Sequence, residues 1–316
     1  MSVHKVTSSA MRVLFEGLID YAGLYPPAAL GLSESVANYR SYVHGNDNWM
    51  VARFICGTVH AAQFTDELQV GFHAGSPLDV SLVTRDPVQD VPRILAELPA
   101  SVRIGAVEVA LTSGKSAGEQ IASHREFFNR LTDRGRDVSI FYELSLSEAW
   151  DEEFLRLADA LGGEVPTHSE RTIGCKLRCG GLEAHLIPSP ERLGSALYAC
   201  ADRSIPVKFT AGLHQPFRHK PHAGETGSVG VPMHGYFNLY WAAMAANLKA
   251  LRADEVVAIV AEMDSCSPAV ESDSVEWLGI RLSSEEIRNV RSSKVLSFGS
   301  CSFDEPVSAA RQLGWV

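Results

Sequence analysis

From residue 49 onward, short runs rich in β-branched and aromatic residues alternate with helical patterns. Each unit takes roughly 30 residues, the length of a strand with its crossover helix, and repetition of that unit implies a parallel sheet. Strands are read at 49–57 (WMVARFICG), 79–84 (DVSLVT), 103–111 (RIGAVEVAL), 137–144 (DVSIFYEL), 172–180 (TIGCKLRCG), 206–212 (PVKFTAG) and 294–300 (KVLSFGS). A seventh, between the last two, is sought within 275–282, its place left open. Helices are expected across 116–134, 148–161, 190–201, 235–250, 253–263 and 305–313. Eight such units in 316 residues predict an α/β fold of the closed (β/α)8, TIM-like kind rather than an open sheet. No dinucleotide fingerprint follows the first strand, which counts against a Rossmann sheet, and no pattern calls for a cofactor. Residues 8–19 and 32–43 also have helical spacing. The expectation is a helical extension over 1–48 packed on a barrel formed by 49–316.

Charge and cysteine usage narrow the function classes. The net charge of −10 argues against a nucleic-acid-binding face, for which a basic patch is needed, and against an anionic membrane surface. Hydrophobic residues at 46% and charged ones at 21% are an ordinary globular balance. Cys56, Cys175, Cys179, Cys200, Cys266 and Cys301 form no CxxC pair, so neither a zinc knuckle nor a disulfide scaffold is indicated. That usage fits a reducing compartment. Glu16 and Asp20 interrupt the first apolar segment, unlike a signal peptide, and no apolar run is long enough to span a bilayer. The expected setting is the cytoplasm.

Strand alternation sorts the charges by face. Ile173, Cys175 and Leu177 oppose Gly174, Lys176 and Arg178; Val207 and Phe209 oppose Lys208 and Thr210. Glu143 with Phe141, Glu108 with Ala106, and Arg53 with Val51 take the corresponding face of their strands. Arg53, Glu108, Glu143, Lys176, Arg178 and Lys208 are therefore expected to converge inside the barrel at its carboxyl end, where such barrels place chemistry. A structural ion-pair network is the plainer explanation. Burying so many charges for stability alone is poor economy, because a buried pair is often no better than a hydrophobic replacement.

Residues 206–238 hold four of the eleven histidines, His214, His219, His222 and His234, in a loop rich in Gly and Pro. Long loops of this kind are usually functional or disordered, and its ordered flanks make it an active-site lid. His214 and His234, at its two ends, are the candidates for acid–base work. As an alternative, His214, His219, His222 and His234 with Glu225 can be read as metal ligands, although their spacing matches no zinc motif. Arg218 and Lys220 between them suit an anionic substrate better than a cation. After the last strand, Ser300, Cys301 and Ser302 lead into a helix, a place where barrels often hold anions; helix capping by Ser302 or Asp304 is the competing role. Asp20 and Tyr21 are expected to close over one barrel end.

Lys208-Phe209-Thr210-Ala211-Gly212 resembles the Lys-Thr-Ser-Thr-Gly of deoxyribose-phosphate aldolases, which form a Schiff base on the sixth barrel strand. The resemblance implies Lys208 as the nucleophile. The second lysine of that family, in a Lys-Pro-x-Gly-Gly setting on the seventh strand, is missing here, and Lys176 stands in as the neighbouring cation. More of the chain (DYAGLYPPA from Asp20, Lys208 to His214, Met233-His234-Gly235, FGSCSFDEP from Phe298) is similar to an uncharacterised bacterial and plant protein family, which implies a shared site and names no reaction.

Together these features predict an enzyme acting on a small, anionic carbonyl or hydroxy-acid metabolite by Schiff-base or enolate chemistry, of aldolase, lyase or isomerase type. Lys208 is nucleophile or electrostatic anchor, Lys176 tunes it, and Glu143 or Glu108 carries the proton. Arg53, Arg178, Thr210 and residues 300–302 hold the anion. The alternatives are a metal-dependent hydrolase or lyase using the histidine loop, and a barrel that binds a ligand without catalysis. The helix near 236–248 (YFNLYWAAMAANL) is apolar all round, which fits deep burial or a homo-oligomer interface.

Overall fold

The computed structural model describes residues 7–64, 70–112, 114–131, 137–162, 171–221, 230–263 and 267–316. Eight strands, all paired in parallel, close into a barrel. They are β1 (Ile19–Tyr21), β2 (Val51–Gly57), β3 (Leu78–Thr84), β4 (Val102–Ala110), β5 (Ser139–Glu143), β6 (Ile173–Arg178), β7 (Val207–Thr210) and, at the end of the chain, β11 (Val295–Ser300). Between β7 and β11 lies a separate antiparallel sheet of β8 (Ala269–Val270), β9 (Ser274–Trp277) and β10 (Ile280–Ser283). The (β/α)8 architecture is as the alternation predicts.

Two strands differ from the sequence reading, and the differences compensate. The segment 275–282 is not the seventh barrel strand: it holds the β9–β10 hairpin, which lies outside the barrel. Leu278 and Gly279 both have positive φ, 52° and 74°, the backbone of a two-residue hairpin turn that sends the chain straight back. The missing strand is β1, inside the segment read as an N-terminal extension. It hydrogen-bonds to β11 on one side and β2 on the other, with Ile19 opposite both Phe298 and Val51. Three residues are too few to display a period of two, so nothing in Ile-Asp-Tyr announces a strand. The strand that carries Lys208 is consequently the seventh of the barrel and the one that carries Lys176 the sixth.

The helices cover the barrel in the expected way. Ser8 caps the first, Ser9–Phe15, and Ser189 caps Pro190–Asp202, each accepting a hydrogen bond from a backbone N–H three residues on. Tyr236–Leu248 is apolar on every side because it is buried on every side, continuously from Tyr236 to Ala245. The helices Pro190–Asp202 and Ala253–Ala261 pack on it, and Phe237 packs its ring on Trp241, Trp277 and Trp315. Its apolar surface is accounted for within one chain. Among the described residues no helix is long and apolar enough to cross a membrane.

Candidate functional site

Barrel interiors are ordinarily filled by branched aliphatic side chains in layers. Here Asp20, Ser81, Glu108, Lys208 and Ser297 take those places, all at most 5% exposed. Alternation along each strand turns them inward while their apolar neighbours, such as Ile19, Val107 and Phe209, join the hydrophobic core. Lys208 Nζ lies 2.7 Å from Asp20 Oδ2 and 2.5 Å from Glu108 Oε1. The carboxylates are further held by hydroxyls: Ser297 donates to Asp20 Oδ2 at 2.5 Å, and Ser81 donates to Glu108 Oε1 at 2.6 Å. The Arg53 backbone N–H donates to Asp20 Oδ1 at 2.8 Å. The Phe141 ring approaches the Lys208 ammonium at 5.4 Å from its centroid.

On the cavity side of this layer the charges meet open space. Lys176, the register partner of Lys208 on the neighbouring strand, sits 2.6 Å from Glu108 Oε2 and 2.8 Å from Glu143 Oε2. Arg178 donates from Nε to Glu143 Oε1 at 3.1 Å and from Nη1 to the Gly180 carbonyl at 3.4 Å. Lys176, Glu143 and Arg178 all line a cavity of about 1050 Å³ at the barrel mouth. Its other walls are mixed, with Leu24, Ile55, Leu186 and Met233 beside Arg85, Asp86, Asp90 and Glu183. The turns after β6 and β7 pass in contact at its rim. A side chain on Gly180 would lie 2.7 Å from the Gly212 Cα, and Gly212 itself has φ +71°, so only glycine serves at both places.

Burial and ion pairing pull the ionisable groups in opposite directions, and pairing wins. Burial raises the carboxyl of Glu108, but Lys176 and Lys208 outweigh it and hold Glu108 well below the usual carboxylate range. Glu143 is likewise lowered, by Lys176 and Arg178 against burial. Burial lowers Lys176, yet Glu108 and Glu143 raise it above an ordinary lysine. The resting cavity floor is therefore an ammonium between two carboxylates. Above it, burial raises the Tyr25 phenol, which keeps it a hydrogen-bond donor.

Of the residues singled out from the sequence, Lys176, Glu143, Arg178, Thr210, His214 and Cys301 line this one cavity. Lys208, Glu108 and Asp20 form the sealed layer beneath. The others lie elsewhere. Arg53 turns inward but early in its strand, with Nε 3.7 Å from Asp79, which Arg103 also pairs at 2.6 Å. Tyr21 takes the opposite face of β1 from Asp20 and packs on Tyr42 and Phe54. Ser302 Oγ accepts the Glu305 N–H at 3.2 Å, a capping role, and Ser300 Oγ accepts the Ser302 N–H at 3.4 Å.

The two histidines that flank the loop part company. His234 is buried away from the cavity, with Nε2 2.7 Å from the Pro188 carbonyl and Nδ1 3.1 Å from Arg218 Nη1. Burial lowers its pKa to about 4, with Arg218 adding to the effect; the neutral ring donates to Pro188 and accepts from Arg218. His214 instead lines the cavity, its Nε2 4.0 Å from Cys301 Sγ and its Nδ1 2.6 Å from Glu305 Oε2. That last contact is a close charge pair rather than an aligned hydrogen bond, since Nδ1 has no acceptor along its N–H direction. Burial lowers the imidazole, but Cys301 and Glu305 outweigh it and raise the pKa to about 9. His219 pairs its backbone with Met233, while His222 and Glu225 lie outside the described residues. Among the described residues no group of three or more His, Cys, Asp or Glu is placed to hold a metal ion.

Four participants escape the sequence reading: Ser81, Ser297, Tyr25 and Glu305. The two serines occupy inward positions of their strands and were open to the same alternation argument. Tyr25 and Glu305 lie in stretches noted for their wording, without a neighbour in sequence to mark a role. No family model, no curated protein and no solved structure matches the chain.

Proposed function

We propose that the protein is an enzyme of the (β/α)8 class that abstracts a proton beside a carbonyl group in a small anionic substrate. The observation that carries this reading is the cavity floor, where the Lys176 ammonium sits between the Glu108 and Glu143 carboxylates. Lys176 donates to the carbonyl oxygen and stabilises the negative charge that develops there as an enolate. Glu143, ionised at rest and open to the cavity, takes the proton from carbon and returns it. Arg178, a third exposed at its side chain, has N–H groups to spare for a carboxylate or phosphate. Lys208 is the buried cation that keeps Glu108 ionised and fixed, and so supports Lys176 from below.

The corrected strand count bears on the aldolase-like version. Lys176, not Lys208, occupies the sixth strand and faces the cavity, so a Schiff base falls to Lys176. Its proton must first pass to Glu108 or Glu143, since the carboxylates hold it as an ammonium at rest. For that reason the enolate version is favoured.

Incubation with small keto and hydroxy acids in D2O, followed by NMR, tests the reading. The expected result is exchange of the proton beside the carbonyl for one class of acid, lost in Glu143→Gln and in Lys176→Met. Borohydride added to the same mixtures separates the two versions: an adduct on Lys176 selects the Schiff base, and exchange without an adduct selects the enolate. Ligand binding with neither exchange nor adduct overturns the proposal in favour of a binding barrel.

A further inference from the structure

Cys301 and Glu305 have no place in the proton-transfer reading, yet His214 joins them at the rim of the same cavity. They come from two loops: His214 follows β7 and Cys301 follows β11. Those strands are hydrogen-bonded neighbours, Phe298 opposite Phe209 and Gly299 opposite Thr210, so their loops emerge side by side. Cys301 Sγ faces His214 Nε2 at 4.0 Å and the other ring nitrogen faces Glu305 Oε2 at 2.6 Å. Cys301 is partly exposed and lines the cavity, whereas Cys56, Cys175, Cys179 and Cys200 are buried. The Glu305 backbone N–H bonds to Ser302 Oγ at 3.2 Å, which fixes the start of the helix that carries the carboxylate. Nucleophile, base and orienting carboxylate in that order are the arrangement that activates a thiol; before substrate arrives the first contact is often long.

We infer that Cys301 is a nucleophile for acyl groups, with His214 as its base and Glu305 as the positioning residue, and that the cavity accepts an ester or thioester of a small acid. In the first step Sγ bonds to the acyl carbon with its proton already held on His214 Nε2, the ring being an imidazolium at rest. The bond to the leaving alcohol or thiol breaks, and that group departs with the proton from His214. Water then adds to the enzyme thioester, giving one proton to His214; the carboxylic acid leaves and the proton stays on the ring beside Sγ, which restores the starting pair. Glu305 stabilises the imidazolium in both steps, in line with the raised pKa of His214. The charged and titratable groups around the pair are Glu305 and Asp304 at the helix start, Tyr42, which donates to Asp304 at 2.9 Å, and Tyr21 on β1.

The test uses the full chain and two reagents, para-nitrophenyl acetate and iodoacetamide, with adducts mapped by mass spectrometry. The first is expected to give a burst of nitrophenolate and an acetyl group on Cys301. The second is expected to label Cys301 ahead of the buried cysteines, about tenfold or more slowly in His214→Asn. Glu305→Gln, at a half-exposed site, guards against a His214 variant that fails to fold; it is expected to slow both reactions and to move the NMR titration of the His214 ring down from about 9 toward an ordinary imidazole. Labelling of Cys301 at the same rate in wild type and Glu305→Gln overturns the triad, and absence of acetyl from Cys301 overturns the acyl chemistry. Neither arm uses Lys176 or Glu143, so these results stand apart from the proton-exchange experiment.

Discussion

Lys176 and Lys208 are register partners on adjacent strands, each between two carboxylates, and they share Glu108. Their surroundings separate them. Lys208 is closed off completely, with Asp20, Ser81, Ser297 and the Phe141 ring around it. Lys176 shares its second carboxylate, Glu143, with Arg178 and opens on the cavity. A buried ion pair is weak evidence for stability in its own right, but removing one member is strongly destabilising because the other is stranded. The lower layer is therefore best understood as a scaffold that must be complete. The upper layer can exchange partners with a ligand, since water and substrate reach it.

The largest expected effect is on Lys208→Met, which strands Asp20 and Glu108 without water: a loss of about 3–5 kcal/mol in urea denaturation. Lys176→Met is expected to cost less, about 1–3 kcal/mol, because cavity water hydrates the freed carboxylate. Equal losses for the two variants break the distinction between sealed and open layers. The flanking histidines sharpen it through pH. His234 has a folded pKa lowered to about 4, so its contribution is full above the ordinary imidazole range near 6.5 and is lost as pH falls toward 4. His214 is raised to about 9, so its contribution is full below about 6.5 and is lost as pH rises through 9. Denaturation at pH 5, 7 and 9 of His214→Asn and His234→Asn is expected to flatten the alkaline and the acid side respectively, each by on the order of 1–3 kcal/mol. Smallest is Ser302→Ala, about 1 kcal/mol for a lost cap, read as a shift in the denaturation midpoint.

Much of the architecture is legible in the sequence because burial on both faces leaves parallel strands as distinct apolar runs separated by helices. Alternation also gives the facing of Glu108, Glu143, Lys176, Arg178 and Lys208, and the structure turns all five inward. What alternation does not give is height along the barrel axis. Arg53 is the third residue of its strand and Arg178 the last of its own, so both point inward and only one reaches the mouth. The same blindness hides which lysine is sealed. The Cys301–His214 contact was out of reach for a different reason. With a strand placed at 275–282, the strands before His214 and before Cys301 are not neighbours, and their loops have no cause to meet. Removing that strand from the barrel and adding three residues near the start puts them side by side.

The partners of Lys208 are distant in the chain: Asp20 comes from β1, and Ser297, which holds Asp20, comes from β11. During synthesis the lysine is made long before β11, and Asp20 has no seat until β1 wedges between β2 and β11. The interior thus becomes tenable only at the moment the ring closes. Pairings this far apart in the chain are the kind that slow folding, so refolding is expected to be slower than helix content alone would suggest.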